Sequence, residues 1–133
     1  MSLHAKEALS RAKVDLKKAE KDYAECIAVE CAAYVAKEKA KEDFVSAERF
    51  STQCIERCDT LETYSKDDEI TRMHSIQRRN AASNAAWAAR GVHEKAWNEK
   101  ISASCRVDTA RRAVAYARVA VNAARAEEEE KTA

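Results

Sequence analysis

A chain with one glycine, Gly91, and no proline lacks the residues from which tight turns are usually built. Strands need such turns, made with Gly, Pro or Asn chemistry, so an all-β or α/β fold is excluded. What remains is a chain of long helices. Ala accounts for 28 of the 133 residues, and Ala, Glu, Lys, Arg and Leu together for 72. A share above roughly half for these five marks long helices or coiled coils. The length suits one domain, read here as a single all-helical domain over residues 1–126. The remaining segment, EEEEKTA at 127–133, is expected to be a frayed acidic tail, because anionic side chains oppose the helix dipole at a C-terminus.

Leu, Ile, Val and Phe sum to 20 residues, a share low enough to suggest disorder if the net charge were large. The net charge is +1, and Ala, the best helix former, takes the place of the missing aliphatics. The core is therefore expected to be thin and closely packed. Each Ala buries little apolar area, and oligomerisation would compensate. The balanced charge argues against a generic nucleic-acid binder and against a basic helix lying on a membrane. The longest apolar-rich run, at 24–36, is interrupted by Glu25 and Glu30 and falls short of the roughly 20 residues a membrane span needs. No signal peptide is expected from the start, MSLHAKEALSRAK. Five cysteines, Cys26, Cys31, Cys54, Cys58 and Cys105, an odd number, predict free thiols in a reducing, intracellular (cytoplasmic) compartment.

Helical periodicity runs through Leu9, Ala12, Leu16, Ala19, Tyr23 and Ile27. Past the charged patch at 37–43 it resumes at Phe44, Ala47, Ser51, Ile55, Cys58 and Leu61. The break lies at 59–68, reading DTLETYSKDD. Within it Ser65 and Asp68 have the spacing of a helix N-cap, and Asp67, Asp68 and Glu69 suit the positive end of a new helix. A second stripe is read through Ile70, Met73, Ile76, Trp87, Gly91, Trp97, Ile101, Cys105, Tyr116, Val119 and Ala123. Two architectures fit: a long antiparallel helical hairpin turning near 59–68, or the same arms folded again, near 37–43 and Gly91, into a four-helix bundle. The hairpin is favoured because the 37–43 patch contains no breaker. Gly91 either caps a helix or lies within a continuous or kinked one, and the unbroken pattern around it favours the latter.

With a turn centred near residue 66, Cys58 would face His74, Cys26 or Ile27 would face Cys105, Val35 would face Trp97, and Trp87 would lie level with Phe44 and Val45. A hairpin buries one stripe per helix, so the apolar stretches at 24–36 and 113–126 should leave a second face that calls for a partner.

The charges are unevenly placed. Residues 1–68 carry 12 basic and 15 acidic side chains, whereas residues 69–126 carry 11 basic and 4 acidic ones, nine of the bases being Arg. The plainer reading is mutual attraction between the arms through weak exposed pairs. The sharper one is an Arg face for an acidic protein or nucleic acid, built from Arg78, Arg79, Arg90, Arg106, Arg111, Arg112, Arg118 and Arg125.

Cys54 and Cys58, four apart on a helix, would with His74 make a weak zinc candidate at the hairpin tip, a fourth ligand being improvised from Asp59 or Glu62. Ordinary packing of Cys as a small apolar residue explains both thiols better, so no metal and no cofactor is expected. No nucleophile can be paired with His4 or His93, no Glu-x-x-His motif is present, and one Gly cannot form a phosphate loop. The chain therefore reads as a non-enzymatic structural or protein-interaction protein, assembling through Ala-rich helix seams with itself or in a larger complex. Tyr34, Trp87, Trp97 and Tyr116 would anchor its interface, with Arg111, Arg112 and Arg118 contributing charge. The alternative is a compact four-helix module docking its Arg-rich face on an acidic protein or nucleic acid. A nucleic-acid partner is the less expected of these.

Overall fold

A computed structural model describes residues 3–64 and 69–132, of which 61–64, 131 and 132 enter as helix backbone only. Two helices make up this structure, α1 (Leu3–Tyr64) and α2 (Glu69–Thr132), packed against each other as an all-α helical hairpin. The chain reverses inside the expected window, but α1 runs past Asp59 as far as Tyr64. The Ser65–Asp68 cap lies outside the described residues. Glu69 stands in the first turn of α2, where the dipole favours a carboxylate. The segment read as an acidic tail belongs to α2, which continues through Glu127–Glu130 to Thr132.

The second folding of each arm does not occur. Residues 37–43 and Gly91 both lie within unbroken helix, which excludes the four-helix form of a single chain. Neither place carries a helix-breaking device: there is no proline, and no described residue has a positive φ. Exposed Thr52, Thr60 and Thr109 fold their hydroxyls back onto the carbonyls of Glu48, Glu56 and Cys105 at 3.1, 2.9 and 3.1 Å. They thereby satisfy themselves within the helix, four residues back. Gly91 is exposed, and a Cβ built there would meet nothing within 4 Å. Gly91→Ala should therefore stabilise the chain by about 0.5–1 kcal/mol, through helix propensity and a less flexible unfolded chain. Urea unfolding followed by circular dichroism reads this directly, and a loss of stability would mean that the backbone at Gly91 is not regular helix.

Inside the hairpin the periodicity is stricter than the sequence reading assumed. Apart from Glu38, the buried and half-buried residues of α1, Ala5 through Cys58, alternate in steps of three and four without interruption. The same rule holds along α2 from Ser75 to Glu128, with Ile76, Ser83 and Ser104 as shoulder positions. This is the seven-residue repeat of a coiled coil, with inward positions a and d. Position d of α1 is Ala5, Ala12, Ala19, Cys26, Ala33, Ala40, Ala47 and Cys54. In α2, after Ser75, position d is Ala at every repeat: Ala82, Ala89, Ala96, Ala103, Ala110, Ala117 and Ala124. Small side chains at one of the two inward positions let the helices approach closely, because interaxial distance follows the size of the contact residues.

By contact the chain falls into two units, Met1–Ala33 with Lys100–Ala133, and Tyr34–Glu99. In the first, position a carries the bulk: Leu9, Leu16 and Tyr23 from α1, and Val107, Val114 and Val121 from α2. Leu and Val thus alternate with Ala along an apolar seam, interrupted by Glu30 and Lys100. In the second unit position a is more polar. Phe44 stacks on His93 with ring centroids 5.8 Å apart and planes 4° from parallel. Ser51 and Ser83 share a hydrogen bond across the helices at 3.2 Å. Arg79 donates from Nη1 to the Cys58 sulfur at 3.7 Å. The hydroxyl pair is satisfied; His93 Nε2 is buried and has no hydrogen-bond partner.

Several residues of the expected stripes point outward. Ile27 and Ile55 give way to Cys26 and Cys54 in the seam of α1. In α2, Ile70, Met73, Trp87, Trp97, Ile101, Cys105, Tyr116, Val119 and Ala123 are exposed, and the seam belongs to their alanine neighbours. The physical reason is the tight approach: a tryptophan between two backbones drawn together by alanine would force them apart.

Candidate interaction surface

Two flanks border the seam of an antiparallel pair, one formed by the e positions of both helices and the other by the g positions. The contacts within each unit identify them. In the unit Tyr34–Glu99, the e flank carries Tyr34 of α1 and Trp97 of α2, joined by Lys37. The Lys37 ammonium lies 4.4 Å from the Trp97 ring centroid and 5.7 Å from that of Tyr34. It also pairs with Glu38 Oε1 at 3.4 Å, and the Lys37 side chain is only 13% exposed. A cation held over one ring and beside another is worth roughly 0.5–2 kcal/mol according to its desolvation. It fixes both aromatic side chains at the surface.

Further along the same unit, the Arg90 guanidinium sits 5.7 Å over the Trp87 ring. Arg90 Nε donates to Glu94 Oε1 at 3.3 Å. Val45, Ile55 and Met73 are exposed on the same side, at e and b positions. The four aromatic residues expected at an interface are therefore all on the outside, with exposures of 51% for Tyr34, 74% for Trp87, 46% for Trp97 and 75% for Tyr116. The first three share one flank; Tyr116 belongs to the other unit.

The arginines do not form one face. In the unit Met1–Ala33 with Lys100–Ala133, Arg111, Arg118 and Arg125 follow one another at e positions of α2, with Lys6 and Lys13 at e positions of α1. Arg112 is exposed at an outer position, and Arg106 lies on the g flank. In the other unit Arg79 turns into the seam and Arg78 lies on the g flank. Arg111 donates from Nη2 to Asp108 Oδ1 at 2.8 Å. This pair, like Lys37–Glu38 and Arg90–Glu94, lies within one helix rather than between the arms.

The g flanks carry open grooves. One, of about 520 Å³, is lined by Asp15, Asp22, Cys26, Arg106, Thr109 and Ala113 among others. Cys26 and Cys105 both border it, Cys26 from the seam and Cys105 from the exposed side of α2. Another, of about 580 Å³, is lined by Cys54, Arg57, Thr71, His74 and Arg78 among others. Cys54 and His74 both border it, and Cys58 does not. Cys54 and Cys58 are buried in the seam while His74 is exposed, and the neighbour of Cys58 is Arg79. Among the described residues no three His, Cys, Asp or Glu side chains are placed to hold a metal ion.

The expected register is close but not the one observed. Trp97 meets Lys37 rather than Val35, and Phe44 meets His93 rather than Trp87. Sequence reasoning missed Lys37 and Arg90 as partners of the rings. The signal was available, since Lys37 follows Tyr34 by three residues and Arg90 follows Trp87 by three, the spacing at which helical side chains meet. No helix of the described residues is long and apolar enough to cross a membrane. No family model, curated protein or solved structure matches this chain.

Proposed function

We propose that this chain is a non-enzymatic helical protein whose work is to bind protein, assembling with itself or within a larger complex in a reducing, intracellular setting. One observation carries the reading: the usual distribution of side-chain size is inverted. Alanine fills position d in most layers of the hairpin, while Trp87, Trp97, Tyr34, Tyr116, Phe50 and Val119 stand in solvent. Scattered apolar residues on a surface need no explanation, but Tyr34, Trp87 and Trp97 gathered on one flank mark a surface that is covered in use. Trp and Tyr are also the residues that most often anchor protein interfaces. The Ala seams, which the sequence offered as the means of assembly, are used up in joining α1 to α2. The outer aromatics take over that role.

A photo-reactive amino acid placed at position 87 or 116, in cells that make the protein, tests this reading. Crosslinks to protein, whether this chain or another, are expected there and not at exposed polar positions such as Lys21 and Asn98. Equal or absent crosslinking at all four positions would contradict it.

A further inference from the structure

We propose that the e flank of the unit Tyr34–Glu99 docks on the same flank of a second copy, so that two hairpins complete a four-helix arrangement there. This rests on the protein-binding function just proposed and names its partner. Most of the large apolar residues exposed in this unit, both tryptophans among them, lie on one side. Tyr34, Val45 and Ile55 of α1 and Met73, Trp87 and Trp97 of α2 lie at e or b positions, and all are exposed. The opposite flank mixes Phe50 and Val92 with Asp43, Arg57, Arg78 and Glu99.

Area and charge both favour a second copy. At about 150–250 Å² per aromatic side chain, the fractions of Tyr34, Trp87 and Trp97 left exposed amount to roughly 250–430 Å² per copy. Doubling that and adding Val45, Ile55 and Met73 approaches the ~1,000 Å² total that a specific interface needs. The charges among these residues are of both signs, with Lys41 and Arg90 set between Glu38, Glu48 and Glu94. In a two-fold contact every residue meets its own set, so a surface with interspersed signs can pair with itself. A polyanion would meet three carboxylates. The interior of this unit gives the second copy something to add, because it holds Ala40, Ala47, Ala82, Ala89 and Ala96 beside Lys37, Ser51, Arg79 and His93. Phe44, Cys54 and Cys58 are the larger apolar groups of this seam, which buries little apolar surface otherwise, and a second hairpin laid on the aromatic flank supplies a further layer.

Sedimentation velocity on the full chain, kept reduced because Cys31 and Cys105 are exposed, is the test. The wild type should be a dimer at about 10 µM, which corresponds to a dissociation constant at or below the micromolar range. Trp87→Glu combined with Trp97→Glu should raise that constant at least tenfold while helicity by circular dichroism is unchanged. Val45→Lys should act in the same direction with the tryptophans in place. Lys21→Glu, at an exposed polar position of the other unit, should leave the dimer intact. A monomeric wild type at this concentration, or a dimer indifferent to the flank variants, overturns the proposal. Crosslinking from position 87 to a different protein, with a monomeric wild type, would sink the dimer and leave the protein-binding function standing.

Discussion

Replacing Ala103 by Leu is expected to destabilise the chain by about 1–3 kcal/mol, the cost of overpacking a closely fitted interior. The sign of the effect is the informative part. In a coiled coil with Leu-sized contacts, an Ala at position d is a gap, and filling it adds buried apolar area and stability. In this hairpin Ala103 is buried, and d is Ala in most layers of both helices. A Leu must then separate the backbones or leave its rotamer well. Ala123→Leu, on the exposed side of α2, serves as the control and should change stability by no more than about 0.5 kcal/mol. Urea midpoints for the two variants, with unchanged m-values, check the prediction. A stabilised Ala103→Leu would mean that the helices stand apart by more than an alanine seam allows.

A second pair of variants separates inside from outside two residues apart. Val114 is buried at position a, whereas Tyr116 is largely exposed. Val114→Asp places a carboxylate in an apolar layer of the seam, and should cost about 2–4 kcal/mol or unfold the chain outright. Tyr116→Asp should cost no more than a surface change, about 0.5 kcal/mol. The ordinary expectation, that the aromatic ring is the core residue, would reverse the order. Thermal melts of the two proteins decide between them.

The hairpin itself could be read from the chain. The acid-rich segment before Ile70 was the clearest break, with 37–43 and Gly91 as further candidate turns; the structure ends α1 at Tyr64, starts α2 at Glu69 and carries unbroken helix through the other two. The helical continuity of 37–43 and of Gly91 also followed from the lack of any breaker. What was not legible was which stripe faces inward, above all in α2. Reading the stripe from large residues, Ile70, Met73, Trp87, Trp97 and Tyr116, applies the rule that big apolar side chains are buried. That rule fails where the contact is made of the smallest side chain. The comb from Ala82 to Ala124 recurs every seventh residue, but it is hidden among 28 alanines and shows only when small residues are tested for period as well as large ones. In α1 the error was smaller, because Leu9, Leu16, Tyr23 and Phe44 share the seam with the alanines.

The register was displaced for a related reason. Moving the centre of the reversal by a residue or two shifts every facing pair, so Cys58 finds Arg79 where His74 was expected. That displacement removes the zinc candidate and turns the thiol into a buried hydrogen-bond acceptor, 1% exposed. The residues proposed for the interface fared differently. Tyr34, Trp87, Trp97 and Tyr116 were singled out for size and type alone. The structure puts three of them on one flank and supplies Lys37 and Arg90 as the cations that hold the rings there. The eight arginines, by contrast, shared a helix but not a face, since a heptad scatters residues spaced by 1, 11, 16, 5, 1, 6 and 7 positions over several columns.

Hydroxyl-radical footprinting of the reduced chain at high dilution tests the inverted arrangement most directly, because it reports side-chain exposure residue by residue. The alanine-seam hairpin predicts strong labelling at Trp87 and Tyr116 and protection at Cys58 and Val114. Protection of Trp87 and Tyr116 together with labelling of Val114 would show that the large residues are the core after all, and would contradict both the seam and the surface built upon it.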